Sequence, residues 1–162
     1  GHQVILVSGP THLESPRGIQ RIEVISAQEM YQATKDLFVD CDALIMCAAV
    51  SDYRPAVYFN GKLKKQSKTL MLKLIPNIDI LKELGGKKGK RILIGFALEA
   101  ANGEKNALKK LREKNLDYVV LNSPDALGDD KSTVEIYSEK GLIKRFDKAP
   151  KKIISEFMVR LL

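Results

Sequence analysis

The hydrophobic positions of this chain recur with two periods, one typical of strands and the other of helices. The most apolar run, residues 43–47, carries no charge and has the composition of a strand buried on both faces. Shorter apolar or alternating runs predict further strands over residues 3–7, 22–25, 69–74, 92–96 and 118–121. Residues 51–61 follow neither period.

Capping residues indicate where the helices begin. Ser26 is followed three residues later by Glu29, which completes a capping box for a helix that extends to about Val39. Asn77 is placed to cap a short helix, and Pro150 is placed to open the last one. The predicted helices cover residues 27–39, 78–84 and 104–114 and the chain after Pro150.

Strands that alternate with helices predict the α/β class, with a three-layer, Rossmann-like, mostly parallel sheet and helices on both of its faces. Two further strands, over residues 133–137 and 142–146, are joined by a turn that contains Gly141. They predict an antiparallel hairpin at the C-terminal end of the sheet.

Composition limits the classes of protein that this chain can belong to. Its 162 residues, 44% of them hydrophobic, can bury one core, which favours a single domain over residues 1–162. No apolar run reaches about 18 residues and no signal-peptide pattern opens the chain, so we expect a cytoplasmic protein without a membrane span. Cys41 and Cys47 lack metal-site spacing and are expected to be reduced core thiols.

The net charge of +7, from 27 Lys and Arg against 20 Asp and Glu, suits an anionic partner such as a nucleotide. A lysine-rich solvated surface explains the same charge more simply. The charge therefore needs support from the positions of particular residues.

Two lysines of the predicted helix 104–114 occupy such positions. At about 100° per residue, Lys110 and Lys114 lie one turn apart along the border of the apolar stripe. Two adjacent ammonium groups repel unless an anion lies between them, so a polyphosphate would suit the pair, and Glu113 would relieve it as well. The apolar stripe consists of Ala107, Leu108 and Leu111. The cations expected on the opposite, solvated face are Lys105, Lys109 and Arg112.

The run Lys62-Leu63-Lys64-Lys65 has two interpretations. Lysines that alternate along a strand protect an exposed sheet edge against aggregation. Alternatively, the run is a mobile arm that carries one lysine over a charged reaction centre, with Gly61 as its hinge.

A polar motif directly follows the apolar run 43–47, with the sequence Ala48-Ala49-Val50-Ser51-Asp52-Tyr53-Arg54-Pro55. An apolar strand followed by small and then polar residues is typical of the carboxyl edge of an open α/β sheet, where such sheets bind ligands. Asp52 is therefore a candidate for a nucleotide pocket; the alternative is an aspartate that hydrogen-bonds its own turn. In the later motif Asn77-Ile78-Asp79-Ile80, helix capping explains the polar residues, and free amides at a helix start also suit phosphate oxygens.

Six segments, in order and with family-like spacing, resemble the synthetase domain of phosphopantothenoylcysteine synthetase, which in bacteria is often fused to a flavin-dependent decarboxylase. Each segment is weak alone, but together they cover nearly the whole chain. They are Leu6-Val7-Ser8-Gly9-Pro10, the motif at 48–54, the lysine run at 62–65, Asn77-Ile78-Asp79-Ile80-Leu81, Gly95-Phe96-Ala97-Leu98-Glu99, and the stretch from Ala107 to Lys114-Asn115-Leu116-Asp117.

The resemblance implies a phosphopantothenate–cysteine ligase of coenzyme A biosynthesis that uses CTP, with Mg²⁺ assisting. A 4′-phosphopantothenoyl-cytidylate forms with release of pyrophosphate, and the amine of cysteine then displaces CMP. By position, Lys62 matches the family's catalytic lysine, which also contacts the nucleotide. The other positions that match family nucleotide contacts are Met46, Cys47, Ala48, Asp52, Ile78, Asp79, Ile80, Leu81, Phe96, Lys110 and Lys114.

The chain departs from the family pattern in several places. The glycine-rich strand–turn–helix and the Asn-x-x-Ser-Ser-Gly-type segment that open family members have no counterpart here. We therefore expect an N-terminally incomplete domain that binds nucleotide, and its activity alone stays open. Ile78 stands where proline is common, and the other substituted positions are Ala100, Leu127 and Ser132.

The resemblance also bears on partners. We expect no FMN on these residues because the flavin domain is absent, and whether the parent chain is bifunctional stays open. A homodimer is implied by the resemblance alone. The choice between CTP and ATP and the metal ligands are not set by the sequence.

Two other classes of function remain open. A Rossmann-type NAD(P)-binding reductase would carry Gly-x-Gly-x-x-Gly after its first strand, and Ser8-Gly9-Pro10 lacks the second and third glycines. A nucleic-acid-binding domain would interleave aromatic and basic residues, whereas aromatics make up 6% of the chain without such a pattern. We therefore expect CTP, 4′-phosphopantothenate and cysteine as ligands, and neither nucleic acid nor a membrane as a partner.

Overall fold

The computed structural model describes residues 1–64, 69–98, 103–123 and 130–162. Within these ranges the chain forms nine strands and four helices. In chain order they are β1 (Ile5–Ser8), β2 (Gln20–Glu23), α1 (Ala27–Phe38), β3 (Ala43–Met46), β4 (Tyr53–Pro55), β5 (Leu74–Pro76), α2 (Ile80–Gly85), β6 (Ile92–Leu98), α3 (Gly103–Glu113), β7 (Tyr118–Asn122), β8 (Lys131–Ser138), β9 (Gly141–Pro150) and α4 (Lys151–Val159).

The chain packs as two compact units. The smaller unit comprises Gly1–Ala33 with Ala49–Asp79, and the larger unit comprises Thr34–Ala48 with Ile80–Leu162. The expectation of one domain over residues 1–162 stays a prediction.

A five-stranded sheet of order β3-β6-β7-β8-β9 forms the centre of the larger unit. β3, β6 and β7 run parallel, whereas β8 and β9 are antiparallel to their neighbours. Gly141, at φ 108°, adopts in the β8–β9 turn a conformation that residues with a side chain rarely take. The predicted C-terminal hairpin is thus confirmed.

Helices α2 and α3 cover one face of this sheet. A β-carbon at Gly95 of β6 would lie 2.8 Å from Cδ1 of Leu81 in α2 and 2.9 Å from Cδ1 of Leu116. A β-carbon at Gly103, which opens α3, would lie 2.6 Å from Cδ2 of Leu121 in β7. The two glycines therefore permit both helices to approach the strands closely.

Helix α4 covers the opposite face. Its Ile154 and Met158 are buried in one hydrophobic cluster with Ile94, Val120 and Ile136, all three of which are fully buried. Helices on both faces of a central sheet give the three-layer α/β arrangement that the sequence predicts.

The start of α1 confirms the capping box. The backbone N–H of Glu29 donates to Ser26 Oγ at 3.1 Å, and the Glu29 carboxylate accepts from the backbone N–H of Ile25 at 2.8 Å. These hydrogen bonds hold the pKa of Glu29 below its ordinary value, and the bond from Ile25 has the largest effect. A local signal in neighbouring residues therefore determines where this helix begins.

The predicted burial of residues 43–47 is wrong. β3 lies at the edge of the five-stranded sheet and pairs with β6 alone among the described strands, and Ile45 is 38% exposed. Cys47, which follows this edge strand, is exposed and therefore not a core thiol. Cys41 is half-buried, and burial raises the pKa of its thiol. Both cysteines are free thiols.

The strand predicted over residues 69–74 is also displaced. The smaller unit contains two two-stranded sheets, a parallel pair β1–β2 and an antiparallel pair β4–β5. β5 begins at Leu74, and just before it the carbonyl oxygen of Lys73 accepts from the backbone N–H of Ala56, directly after β4, at 2.8 Å. None of the helices in the described ranges is long and apolar enough to cross a membrane.

Candidate functional site

Two motifs that are distant in the sequence lie side by side in the smaller unit. β4 and β5 pair with Tyr53 opposite Pro76 and Pro55 opposite Leu74. Beyond this ladder, the backbone N–H of Asn77 donates to the carbonyl oxygen of Asp52 at 2.7 Å. The predicted pocket residue Asp52 is thereby placed next to the segment that leads into Ile78.

The side chains of Arg54 and Asn77 hold this junction together. Arg54 Nη1 donates to Asn77 Oδ1 and to the carbonyl oxygen of Pro76, both at 2.9 Å. Asn77 Nδ2 donates to the carbonyl oxygen of Ser51 at 2.8 Å. We call these contacts, together with the Asn77–Asp52 backbone bond, the Arg54–Asn77 clamp.

The clamp corrects the prediction that Asn77 caps a helix. Helix α2 begins at Ile80, and the side-chain amide of Asn77 is occupied at both ends by Arg54 and Ser51. Asn77 therefore joins two chain segments instead of starting a helix.

The residues beside the clamp are exposed. Asp52, Ile78 and Asp79 all lie at the surface of the smaller unit. Asp52 contacts Asn77 through its backbone carbonyl, and within the described ranges no hydrogen bond joins its carboxylate to its own turn. The alternative in which Asp52 serves its own turn thus gains no support from the described residues.

The lysine arm is exposed at its described positions. Lys62 and Lys64 are at the surface, and Gly61 before them has φ 119°, a conformation that favours glycine. Lys65 lies outside the described residues. Geometry thus leaves Lys62 accessible, and its role stays a prediction.

In the larger unit, Met46 of β3 and Leu81 of α2 both lie next to Gly95 of β6. Met46 pairs with Gly95 in the β3–β6 register, and the Leu81 side chain packs over Gly95. Ile80 and Leu81 are 3% and 8% exposed, so their side chains belong to the core. Any contact that these two residues make with a ligand must therefore use the backbone. Cys47 and Ala48, which follow Met46, are exposed.

Phe96 faces away from α2 and α3. Side chains alternate along β6, and Phe96 packs on the cluster that contains Ile154 and Met158 of α4. Its ring is therefore on the opposite face of the sheet from Lys110 and Lys114. The predicted nucleotide contacts of the larger unit thus do not share one face.

Helix α3 has the predicted distribution of side chains. Ala107 and Leu111 are buried, and Lys110 and Lys114 are half-buried along the border of the stripe. The exposed residues of the opposite face are Lys105, Lys109 and Arg112. The amphipathic interpretation of the helix is therefore confirmed, whereas phosphate binding by Lys110 and Lys114 stays a prediction.

A defined C-terminal motif follows α3, with Lys114 between the helix end and Asn115. Asn115 adopts a left-handed conformation with φ 52°, its N–H donates to the carbonyl of Arg112, and the N–H of Leu116 donates to the carbonyl of Leu111 at 2.9 Å. This is the Schellman pattern, in which asparagine can take the place of glycine. It fixes the backbone from which the Lys114 side chain extends.

Gly85 connects the end of α2 with the end of α3. A β-carbon at Gly85 would overlap the carbonyl oxygen of Lys114. Asn115 Nδ2 donates to the carbonyl oxygen of Gly85 at 2.8 Å. The position of the Lys114 backbone therefore depends on a glycine that precedes it by a whole strand and helix.

The described residues contain no group of three or more His, Cys, Asp and Glu side chains that could hold a metal ion. Of the positions where the chain departs from the family pattern, Ala100 and Leu127 lie outside the described residues, as does Glu99 of the fifth motif. Ser132 is buried in β8.

Similarity to known proteins decides the family. The model of the DNA/pantothenate metabolism flavoprotein C-terminal domain matches residues 1–162, which is the full sequence. The chain belongs to this family. The family that the six sequence motifs indicated is therefore confirmed.

Relatives of this C-terminal domain include two curated proteins named coenzyme A biosynthesis bifunctional protein CoaBC. The one from Bacillus subtilis is 42% identical over 146 residues, which are 87% of this chain and 36% of that protein. The one from Haemophilus influenzae is 42% identical over 123 residues, which are 75% of this chain and 31% of that protein. The chain thus spans about a third of the length of these relatives.

Solved structures show the same fold. The crystal structure of the C-terminal domain of a coenzyme A biosynthesis bifunctional protein CoaBC superposes with a TM-score of 0.82 at 36% identity. The match covers 98% of this chain and 72% of that one. The fold predicted from the sequence is therefore also that of a solved relative of this C-terminal domain.

Sequence reasoning missed three residues that position the predicted site. Arg54 stands out in the sequence only as part of a motif, and Gly85 only as the end of a helix, because their contacts join segments that are distant in the sequence. Asn115 has a local signal, since asparagine directly after the last residue of a helix favours the left-handed conformation.

Proposed function

We propose that this domain ligates 4′-phosphopantothenate to cysteine with CTP, as a step of coenzyme A biosynthesis. The observation that carries the proposal is the family match over residues 1–162, joined to two relatives at 42% identity whose names place them in coenzyme A biosynthesis. Because the chain spans about a third of those relatives, the activity is assigned to it within its parent protein.

The proposed reaction has two steps. A carboxylate oxygen of 4′-phosphopantothenate attacks the α-phosphorus of CTP, and the bond to the leaving pyrophosphate breaks. The amine of cysteine then attacks the acyl carbon, and CMP leaves with one of the original carboxylate oxygens. Since negative charge increases around the α-phosphorus in the first step, the protein contributes mainly by positioning and by cationic groups.

The residues of the smaller unit fit two of these tasks. Lys62 is exposed behind a glycine with positive φ, which suits a cation that reaches the α-phosphate after substrates have bound. Asp52 is held by its backbone and leaves its carboxylate at the surface for the nucleotide.

The larger unit contains other positions that match family nucleotide contacts. Lys110 and Lys114 are half-buried on α3 and are proposed to contact the triphosphate. Met46 ends β3 and is followed by Cys47 and Ala48, where backbone groups are available to a nucleotide. The ring of Phe96 is partly buried against the cluster that contains Ile154 and Met158, and Phe96 is proposed as a further nucleotide contact.

Magnesium fits this site as a companion of the nucleotide. Mg²⁺ is usually held by one or two carboxylates together with substrate phosphates, and the exposed Asp52 supplies such a carboxylate. When bound, the ion would neutralise charge on the phosphates that leave as pyrophosphate.

The parent protein is proposed to act as a homodimer in the cytoplasm, with a flavin decarboxylase domain fused to or assembled with this one. The smaller unit exposes a run of large apolar side chains that a second copy would cover. They include Tyr58 at 90%, Phe59 at 56%, Leu70 at 66% and Met71 at 92% exposure. FMN is not assigned to these residues.

Lys110→Ala combined with Lys114→Ala should raise the Kd of CTP about 100-fold. Each lysine is proposed to make a charge-assisted contact with the triphosphate, and losing both costs about 3 kcal/mol if the contacts are nearly additive. Isothermal titration calorimetry of the full-length protein with CTP and Mg²⁺ measures the change.

The matched control is Lys105→Ala combined with Lys109→Ala, which removes the same charge from the exposed face of the same helix. This control should shift the Kd by less than about threefold, because solvent screens distant surface charges. Equal Kd values for the two double variants would remove Lys110 and Lys114 from the triphosphate site. Titrations with ATP, NADPH and a random oligonucleotide separate the proposed function from the reductase and nucleic-acid alternatives.

A further inference from the structure

The Arg54–Asn77 clamp joins the exposed segment of Asp52, which the proposed function assigns to the nucleotide, to an exposed segment whose positions match family nucleotide contacts. Asp52 lies on the segment before Arg54, and Ile78 and Asp79 lie directly after Asn77. Arg54 and Asn77 are themselves half-buried, whereas these three neighbours are exposed. The clamp is therefore placed beneath the candidate contacts and not among them.

Both ends of the Asn77 amide are occupied. Its Nδ2 donates to the carbonyl of Ser51 and its Oδ1 accepts from Arg54, while its backbone N–H donates to the carbonyl of Asp52. Consequently, the carbonyl groups before and after the α-carbon of Asp52, those of Ser51 and Asp52, are fixed by one residue. A backbone held at the carbonyls before and after the α-carbon of Asp52 leaves its Cα–Cβ bond little freedom to point in another direction.

Arg54 completes the arrangement with donors that point in fixed directions. A single guanidinium nitrogen, Nη1, bridges the side chain of Asn77 and the backbone of Pro76 at equal distances of 2.9 Å. A planar, fully charged guanidinium holds two acceptors in fixed directions, whereas the ammonium of lysine is a rotating point donor. Arg54 thus fixes the orientation of the Asn77 amide, and through it the Asp52 backbone.

The three-residue strands β4 and β5 are too short to hold this junction alone. An isolated two-stranded ladder is marginal in water, and this one ends at the Tyr53–Pro76 pair. The side-chain hydrogen bonds lie beyond that end, next to Asp52. Their location indicates that they serve the segment outside the ladder.

We propose that Arg54 and Asn77 are positioning residues for nucleotide binding, which act jointly by fixing the Asp52 backbone and so the Cα–Cβ bond from which its carboxylate extends. The inference rests on the proposed function, since it assumes that Asp52 contacts the nucleotide. It assigns to the Ser51–Arg54 and Pro76–Asn77 segments a cooperative role that neither segment has alone.

The test compares variants of the full-length protein with CTP and Mg²⁺, by calorimetry for the Kd and by steady-state kinetics for kcat and KM. Asn77→Ala should raise both the Kd and the KM for CTP about tenfold, because one contact to a charged group is lost or misplaced. Arg54→Lys should raise both by about threefold to tenfold. The Michaelis constant for the other substrate, phosphopantothenate, should change by less than about twofold in either variant.

Joint action predicts non-additive effects. The double variant Arg54→Lys with Asn77→Ala should bind CTP no more weakly than Asn77→Ala alone. Asn77→Ala already breaks the clamp, so Arg54→Lys removes no further contribution to CTP binding. Asn77→Asp keeps the acceptor for Arg54 and loses the donor to Ser51, so its Kd should fall between those of the wild type and Asn77→Ala. If Asn77→Ala fails to fold, Asn77→Asp is used in its place.

Arg91→Lys is the matched structural control. Arg91 also donates to backbone carbonyls, those of Cys41 at 3.1 Å and of Val39, but it lies in the larger unit and not in the clamp. It should lower the urea midpoint without changing the Kd of CTP. If the Asn77 variants did the same, lowering stability and leaving the Kd unchanged, the positioning role would be overturned.

Failure of the proposed function gives a different result. A wild-type protein that binds neither CTP nor ATP would overturn both proposals. A wild-type protein that binds CTP normally, alongside clamp variants that bind it equally well or lose affinity additively, would overturn the clamp alone.

Discussion

Lys62→Gln in the full-length protein should slow formation of the 4′-phosphopantothenoyl-cytidylate about 100-fold or more, with a far smaller effect on the Kd of CTP. Removing one well-placed charge donor from a site of developing charge costs about this much in rate. The loss should concentrate in the chemical step, because under the proposal the exposed Lys62 reaches the α-phosphate only after substrates have bound. Rapid-quench measurement of the first turnover gives the rate directly.

Lys64→Gln is the control for this substitution, since Lys64 lies two residues further along and is also exposed. Its rate of cytidylate formation should stay within about threefold of the wild type. If the lysines of the arm only protect a sheet edge, both substitutions would leave the rate nearly normal and increase aggregation. Equal, small effects of the two substitutions would exclude a catalytic role for Lys62.

Gly85→Ala should lower the free energy of unfolding by about 3 kcal/mol and displace α3 from α2. The added β-carbon would overlap the backbone carbonyl of Lys114, and a backbone atom cannot move aside as a flexible side chain can. The displacement should also weaken the hydrogen bond that Asn115 donates to Gly85. Urea denaturation measures the loss of stability, and CTP calorimetry measures its consequence for Lys114.

Gly86→Ala provides the comparison one residue away. A β-carbon at Gly86 would come no closer than 3.7 Å to the carbonyl of Glu83, an ordinary van der Waals distance. Its stability should therefore stay within about 1 kcal/mol of the wild type. Similar losses in both variants would show that the contact between Gly85 and Lys114 does not hold the two helices together.

Features with a local signal were predictable from the sequence. The capping box of Ser26 and Glu29 depends on two side chains three residues apart, and α1 begins where it predicts. The burial of α3 follows from its own period of 3.6 residues, so Lys110 and Lys114 fall on the predicted border. The order of elements likewise predicted the α/β class, because each element was recognisable by itself.

Features that depend on partners distant in the sequence were not predictable. The apolar composition of residues 43–47 indicates a strand but does not say whether it lies at the centre or the edge of a sheet, and β3 lies at the edge. Asn77 has the residue type of a helix cap, yet its amide binds Arg54 and Ser51. The face that Phe96 presents depends on which neighbours cover each side of β6, which the sequence of β6 does not contain.

Transfer of a labelled oxygen tests the proposed function most directly. Full-length protein would be incubated with CTP, Mg²⁺, cysteine and 4′-phosphopantothenate carrying ¹⁸O in its carboxylate, and the products analysed by mass spectrometry. The proposed route predicts 4′-phosphopantothenoylcysteine together with CMP that carries one ¹⁸O, because the carboxylate oxygen bonded to phosphorus leaves with CMP. Folded protein that forms no ligated product with CTP or ATP, or CMP without the label, would contradict it.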